Sequence, residues 1–317
     1  MKQLDFDSAV LALGQGQLVA FATETVYGLG AHAGQDAAVA AIYAAKARPS
    51  FNPLIVHVGS IDQAKALGVW NNRADKLAAA FWPGPLTLVL QRKPASGLSA
   101  IVSAGAQTIA LRCPAPEQAR ALAAAIPHGI AAPSANKSGQ LSPTRQAHVL
   151  EAFADHPHIG FLPGTDPEVG IESTVVDISG PASVILRKGF VSLNDLSHVI
   201  GEVGEHEAYL EDFGDEQVSS PGQLRRHYAP PIPLLLDQHR VGPGQALLAF
   251  GPDVPQAPWV FNLSATGDLT EAAARLFEGL HVLGGSGASA ICAMPIPRRG
   301  IGLAINDRLN RGAVPAG

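Results

Sequence analysis

Leu18-Val-Ala-Phe-Ala22, Asp36-Ala-Ala-Val-Ala-Ala-Ile-Tyr-Ala-Ala-Lys46, Leu54-Ile-Val-His-Val58 and Ile61-Asp-Gln-Ala-Lys-Ala-Leu67 follow one another in the first part of the chain. The first and third are apolar runs of strand length, and the second and fourth have helix length and composition. That order predicts an α/β layer architecture rather than segregated helices and strands. Leu86–Leu90, Thr108–Arg112, Ile130–Ala132, Ser173–Asp177 and Ser183–Arg187 read as further strands, and Ala119–Ile126 as a helix packed closely on the sheet. Such runs do not separate parallel from antiparallel pairing, and a twisted mixed sheet with flanking helices is expected.

The alternation changes near residue 200. Acids and glycines crowd Gly201–Gly214, and Ser219–Pro233 carries four prolines, a composition that marks a linker. Beyond it, Leu234–Leu236, Ala246–Phe250 and Ala288–Met294 read as strands. Thr270–Leu283 reads as a helix with Ala273, Leu276, Phe277 and Leu280 on its apolar face. The expected division is a domain over 1–200, a linker over 201–233 and a smaller α/β domain over 234–317. The last, at about 85 residues, is of a size to fold alone.

Composition bounds the function. Of 317 residues 47% are hydrophobic and 15% charged, which suits a folded chain with ample core; 33 Gly and 25 Pro imply many tight turns. A net charge of −5 argues against a protein that coats nucleic acid, although such a total hides any local basic cavity. The two cysteines, Cys113 and Cys292, form no metal-ligand spacing. A reduced cytosolic protein is the simpler reading. Met1–Val10 lacks the form of a signal peptide, and no run reaches the roughly 18–20 apolar residues of a membrane span. A cytoplasmic protein without membrane segments is expected.

Four segments carry candidate chemistry. Thr23-Glu-Thr-Val-Tyr-Gly-Leu-Gly30 follows a strand and offers hydroxyls beside exposed backbone; its plain reading is a Gly-rich turn whose threonines cap a helix. Lys46, Arg48, Asn52 and His57 gather two cations, an amide and an imidazole around Pro49 and Pro53. Arg offers a planar fork for phosphate or carboxylate and Lys a compact cation; the plain reading is a solvated helix C-terminus. Arg112 ends an apolar strand and, if buried, requires a carboxylate or an anionic ligand. Pro133-Ser-Ala-Asn-Lys-Ser-Gly139, with Ser142 and Thr144 beyond it, places hydroxyls, an amide and free N–H groups in a loop suited to phosphate oxygens without a P-loop. Phe81-Trp-Pro-Gly-Pro-Leu-Thr87 reads as a structural turn, and Ile171–Val175 and Ile185–Gly189 add hydroxyls and a cationic strand end.

Taken in order, these segments resemble the threonylcarbamoyl-AMP synthase family in its longer Sua5 form, a YrdC-like catalytic domain followed by a second domain. The resemblance continues through Ser220-Pro-Gly-Gln-Leu-Arg-Arg-His-Tyr-Ala-Pro230 and Gly302-Leu-Ala-Ile-Asn-Asp-Arg-Leu309, and so covers nearly the whole chain. It implies a nucleotidyltransferase that joins L-threonine, bicarbonate and ATP into threonylcarbamoyl-AMP and pyrophosphate, with Mg2+ accompanying ATP. Partner proteins would then carry the group to position 37 of tRNA. By matching positions, Thr25, His57, Arg112, Ala132 and Ser173 would surround threonine. Arg48, Asn52, Thr108, Ser134, Ser142, Arg187 and Tyr228 would contact the nucleotide. Lys46 and Asn136 complete the family's K-x-R and S-x-N signatures and would face the phosphates, so that Lys46, Arg48, Ser134 and Asn136 form the implied catalytic set.

The segment Arg225–Tyr228, set between prolines, would fold over the nucleotide like a strap, and Asn306-Asp-Arg-Leu309 would serve packing or domain contact. Lys137 and Lys188 stand where the family commonly has proline, adding charge near the presumed phosphate loops. Leu224-Arg225 replaces a common Lys-Tyr pair, and Gly312 replaces an expected alanine. Two other readings use the same fold: a carbamoyl-adenylate-forming maturation enzyme, which would carry several C-x-x-C motifs absent here, and a noncatalytic RNA-binding module. The acidic net charge leaves weak RNA binding as a secondary property at most.

Overall fold

The computed structural model describes residues 1–205 and 227–313. Most of the linker expected over 201–233 therefore lies outside the described residues, including Arg225 and Arg226.

Eleven strands form one mixed sheet: β1 (Lys2–Gln3), β2 (Val19–Phe21), β3 (Gly28–His32), β4 (Ile55–His57), β5 (Leu86–Gln91), β6 (Thr108–Arg112), β7 (Ile130–Ala131), β8 (Gly160–Leu162), β9 (Thr174–Asp177), β10 (Val184–Arg187) and β11 (Gly204–Glu205). Their order across the sheet is β1-β8-β2-β3-β7-β4-β6-β5-β9-β10-β11. Parallel pairs such as β4–β6 and β5–β9 alternate with antiparallel ones such as β2–β3, β4–β7 and β5–β6. The mixed α/β sheet expected from the apolar runs is thus present.

Helices α1 (Phe6–Gly14), α2 (Asp36–Lys46), α3 (Ile61–Leu67), α4 (Asn72–Phe81), α5 (Glu117–Ala125), α6 (Gln146–Ala152) and α7 (Leu193–Ile200) flank the sheet. The alanines of α2 let it lie close over the strands: Ala38, Val39 and Ile42 are buried with Leu29, Ala31 and Val56 in one core. Asparagine and serine at the helix starts supply the first N–H partners, as where Asn71 accepts from Ala74 and Ser60 from Gln63.

The C-terminal part has its own sheet, β12 (Leu234–Leu235), β13 (Ala246–Ala249), β14 (Trp259–Asn262) and β15 (Ile291–Ala293), in the order β12-β15-β13-β14 and parallel throughout. Helices α8 (Leu269–Gly284) and α9 (Gly302–Gly312) accompany it. Its apolar core is not closed off from the rest: Val26, Leu141 and Ile171 of the first part join Leu276, Phe277, Leu280 and Tyr228 in a single cluster. At Gly170 a Cβ would fall 2.3 Å from the Ala274 carbonyl oxygen, so the loop rests directly on the α8 backbone. The cavity described next opens beside this shared core.

Candidate active site

Two local structures turn the chain into the site. After α2, Ala47 takes the left-handed conformation (φ 50°), and its N–H and that of Arg48 bond back to Ala44 and Tyr43. This turn reverses the chain ahead of Pro49 and directs Arg48 inward, where Nη2 donates to Asn52 Oδ1 at 2.6 Å and to the Pro53 carbonyl at 2.9 Å. The second is the bend between β2 and β3. Thr23 Oγ1 bonds Thr25 Oγ1 at 2.9 Å and donates to the Val26 carbonyl at 2.6 Å, and it accepts from the N–H groups of Thr25 and Val26. The expected helix cap is absent: the threonines close a bend between antiparallel strands, and the glycines begin β3.

Together these bends border a cavity of about 550 Å3, counting its part open to solvent, and lined by Thr23, Thr25, Val26, Gly28, Arg48, Ile55, His57, Arg112, Ala132, Pro133, Ser134, Glu172, Arg187, His227 and Tyr228. Of the residues singled out from sequence, Thr25, Arg48, His57, Arg112, Ala132, Ser134, Arg187 and Tyr228 meet here.

Others stand one layer behind and hold the lining. Asn52 anchors Arg48. Ser173 accepts from Arg187 Nη2 at 3.0 Å and bonds Thr87 Oγ1 at 2.7 Å, while its carbonyl receives Arg187 Nε. The Ser142 hydroxyl donates to Glu172 Oε1. Lys46 and Asn136, expected to face phosphates, do not line the cavity. Lys46 is buried rather than solvated; its ammonium donates to the carbonyls of Ser134 (2.6 Å) and Asn136, tying the end of α2 to the Ser-x-Asn loop. Asn136 Nδ2 closes that loop on Lys137 and Gln140. Thr108 borders a separate small pocket with Pro53, Ser103 and Ala110.

Three guanidiniums thus face one cavity. Burial lowers Arg48 to about 10, which leaves it charged at neutral pH. Arg112 does find the carboxylate its burial demands: Nη2 lies 2.8 Å from Glu24 Oε1, at ion-pair distance without hydrogen-bond alignment, and Nε donates to the Gly84 carbonyl. Burial, with the Arg112 charge adding to it, pushes His57 down to about 3, so its imidazole is neutral. His227 is likewise pushed well down, by burial and then by Arg48 and Lys46. Of the lining residues, His57 Nδ1 and His227 Nδ1 are buried with no hydrogen-bond partner among the described residues. Buried polar groups rarely go unpaired, so these atoms are placed for a polar ligand.

Glu24 and Glu172 were not singled out from sequence; each directly precedes a hydroxyl residue of the predicted set, and adjacency was the only local signal. The strap segment is described from His227 onward. Tyr228 is buried, adopts φ 63° and is flanked by bonds from Ala229 N–H to the Gly139 carbonyl and from His227 N–H to the Arg311 carbonyl. Burial and the Glu172 charge raise its phenol to about 12, so it stays protonated. Two of the family departures do not line the cavity: Lys137 donates to the Ala45 carbonyl, and Lys188 pairs with Glu205 at 2.7 Å; Leu224-Arg225 lies outside the described residues.

Residues 11–189 match a protein family described as telomere recombination (Sua5, YciO and YrdC), and residues 191–314 match the threonylcarbamoyl-AMP synthase C-terminal domain. The chain is 37% identical to a threonylcarbamoyl-AMP synthase of Pyrococcus abyssi over 318 residues, covering 94% of this chain and 91% of the relative. It is 37% identical to one of Bacillus subtilis over 321 residues, covering 96% and 92%. A solved structure of P. abyssi Sua5 complexed with L-threonine superposes with a TM-score of 0.88 at 35% identity, covering 98% of this chain and 97% of that one. Alike in both parts and over nearly its whole length, the chain belongs to the threonylcarbamoyl-AMP synthase family of nucleotidyltransferases, which act in the t6A modification of tRNA.

Proposed function

We propose that this cavity condenses L-threonine, bicarbonate and ATP into threonylcarbamoyl-AMP, pyrophosphate and water. One observation carries the reading: Arg48, Arg112 and Arg187 converge on a single cavity whose described lining holds one carboxylate, Glu172. That balance suits two anions brought together, a carbamate and a nucleotide triphosphate.

Threonine occupies the side formed by Thr25, His57, Arg112, Ala132 and Ser173. Its carboxylate meets Arg112, and its methyl lies against the apolar groups of Ile55 and Ala132. Loss of that methyl in serine would cost about 1–3 kcal/mol of discrimination. The nucleotide takes the side lined by Arg48, Ser134, Arg187 and Tyr228, with Asn52 and Ser142 supporting these from behind, while Thr108 borders the separate small pocket. Lys46 and Asn136 act behind it by shaping the Ser134 loop.

The threonine nitrogen bonds the carbon of bicarbonate, the carbon–hydroxyl bond breaks, and the hydroxide leaves as water with the proton lost by nitrogen, giving a carbamate. A carbamate oxygen then bonds the α-phosphorus as the bond to the β-phosphate oxygen breaks, and the electron pair leaves with pyrophosphate. Arg48 and Arg187 hold the phosphates in line and balance charge as it builds on them. His57, an imidazole that binds a proton only near pH 3, orients threonine rather than storing its proton.

Among the described residues no three His, Cys, Asp or Glu side chains group to hold a metal. Mg2+ would enter as the companion of ATP, and Glu172, the only carboxylate among the described lining residues, is the one lining side chain that could help hold it. When bound it offsets charge on the departing pyrophosphate. The product is a reactive mixed anhydride, to be taken up by tRNA-modifying partner proteins, in the cytoplasm on this reading. The parts over 1–200 and 234–317 are read as catalytic and supporting domains, with 201–233 as the connection that closes over the nucleotide.

The test is pyrophosphate release from ATP and Mg2+ with threonine or bicarbonate omitted in turn, with mass analysis of the nucleotide. Release that needs both, with a threonylcarbamoyl adenylate present, supports the reaction; no such product from folded protein rejects it.

A further inference from the structure

Arg308 lies on α9, in the C-terminal part, and its side chain has no exposed surface. It does not line the cavity, yet it touches three segments that do. Nε lies 3.1 Å from Glu172 Oε2. Nη1 donates at 2.6 Å to the carbonyl of Lys188, the residue after Arg187, and at 2.9 Å to Asp307 Oδ2. The guanidinium sits 5.5 Å from the centre of the Tyr228 ring. Burial alone disfavours the Arg308 cation, but Tyr228, Glu172 and Asp307 outweigh burial and raise its pKa.

We infer that Arg308 is a positioning residue for the nucleotide half of the cavity, acting through Glu172, Ser142, Arg187 and Tyr228. The inference rests on the adenylate-forming reading above and adds to it a contribution from the C-terminal part.

Glu172 is the only carboxylate among the described lining residues, and the proposed ligands there are anions. An ionised carboxylate with no counter-charge in a cavity of reduced dielectric would repel them. Arg308 supplies the counter-charge from behind, so the pair presents little net charge to phosphate. The consequence reaches Ser142. Its hydroxyl proton is committed to Glu172, so Ser142, one layer behind the lining, holds that carboxylate in place and does not donate to a phosphate oxygen. The bond to Lys188 meanwhile fixes the end of the strand that carries Arg187, and the guanidinium lies against the Tyr228 ring.

The experiment uses the full chain and three variants, Arg308→Met, Glu172→Gln and the double variant. KM for ATP and for threonine are read separately, with ATP binding by calorimetry and folding by circular dichroism. Arg308→Met is expected to raise KM for ATP and weaken ATP binding about tenfold, while KM for threonine moves less than about threefold. The double variant, which removes both charges, is expected to recover most of the ATP affinity. A folded Arg308→Met with unchanged KM for ATP overturns the inference. So does an equal loss for ATP and threonine with no recovery in the double variant, which would mark a purely structural residue. Should Arg308→Met fail to fold, Glu172→Gln, which removes the carboxylate and keeps the Arg308 charge, must bind ATP at least as tightly as the double variant; weaker binding, or no folded variant at all, also overturns it. Absence of adenylate product from the unaltered chain would remove the reaction reading, and ATP calorimetry would still decide Arg308.

Discussion

Among the described residues two ion pairs join the C-terminal part to the first, one buried and one at the surface. Arg308 and Glu172 are 0% and 8% exposed. Arg145 reaches Glu278 of α8 at 2.9 Å and Asp166 at 3.0 Å, with 47% of its own side chain in solvent. The chemistry is the same and the depth is not. A surface pair is worth about 0–1 kcal/mol and fades with salt. A buried pair gains little over an apolar replacement, but half of one left alone costs about 3–5 kcal/mol. Depth therefore makes the first contact a fixed support and the second an adjustable one. Beside the surface contact, the rings of His148 and His281 stack at 3.7 Å across the same junction.

The largest effect that would sharpen this contrast is expected from Glu172→Ala, which takes from Arg308 its carboxylate on the first part and leaves it only Asp307 of its own helix. Thermal or denaturant unfolding should show a loss of about 3–5 kcal/mol; a loss under 1 kcal/mol would erase the distinction of depth. Next comes Gly312→Ala, where the new methyl would fall 2.7 Å from the Tyr228 carbonyl oxygen. Overpacking of about 1–3 kcal/mol, less up to about 1 kcal/mol of helix propensity, predicts a small net destabilisation. ATP affinity should weaken with it, since Tyr228 must shift; an unchanged affinity would show that α9 and the strap yield independently.

The histidine stack sets a pH dependence on the surface side. Burial, then His281 and Arg145, pushes His148 down to about 4, and burial lowers His281. Their folded-state pKa values lie below the ordinary 6.5, so the unfolded chain binds protons first as pH falls. Stability from the stack is fully present above pH 6.5 and is lost between there and about pH 4. For His148, part-exposed, that amounts to roughly 1–2 kcal/mol after solvent screening. His148→Asn should flatten the stability profile in that window, and an unaltered slope would mean the stack titrates freely. Arg145 and Asp166 also face this pair and are retained in the variant. The smallest effect belongs to Arg145→Ala, about 0–1 kcal/mol at low salt and less at 1 M salt. A salt-independent loss above 2 kcal/mol would place that contact in the buried class.

The depth of these contacts was the part least visible in the sequence. Asp36–Lys46, Ile61–Leu67 and Thr108–Arg112 form elements with the expected bounds, because an apolar run reports its own periodicity. β3 did not, because Gly28 and Gly30 read as a turn. Its glycines instead admit neighbours: a Cβ at Gly30 would fall 2.7 Å from Ile130 Cγ2 and 2.8 Å from Phe21 Cε1. β14 and α9 were also missed; the second is half polar and is held by what it packs on. The site residues came through their order along the chain, whereas Glu24 and Glu172 have partners that no local pattern encodes. Arg308 lies 136 positions from Glu172. The sequence suggested that Asn306–Leu309 makes a domain contact, and it does; that the contact reaches the cavity wall required the fold.

The shared cluster of Val26, Leu141 and Ile171 with Leu276, Phe277 and Leu280 has a practical side. Expressed alone to residue 205, the first part would carry that apolar face into solvent, together with the bare Gly170 shelf that rests on α8. A contiguous patch of that kind promotes self-association. Laboratory yields of such a fragment should be poor, with oligomers at the head of a sizing column, and co-expression of residues 227–317 as a separate piece should restore them.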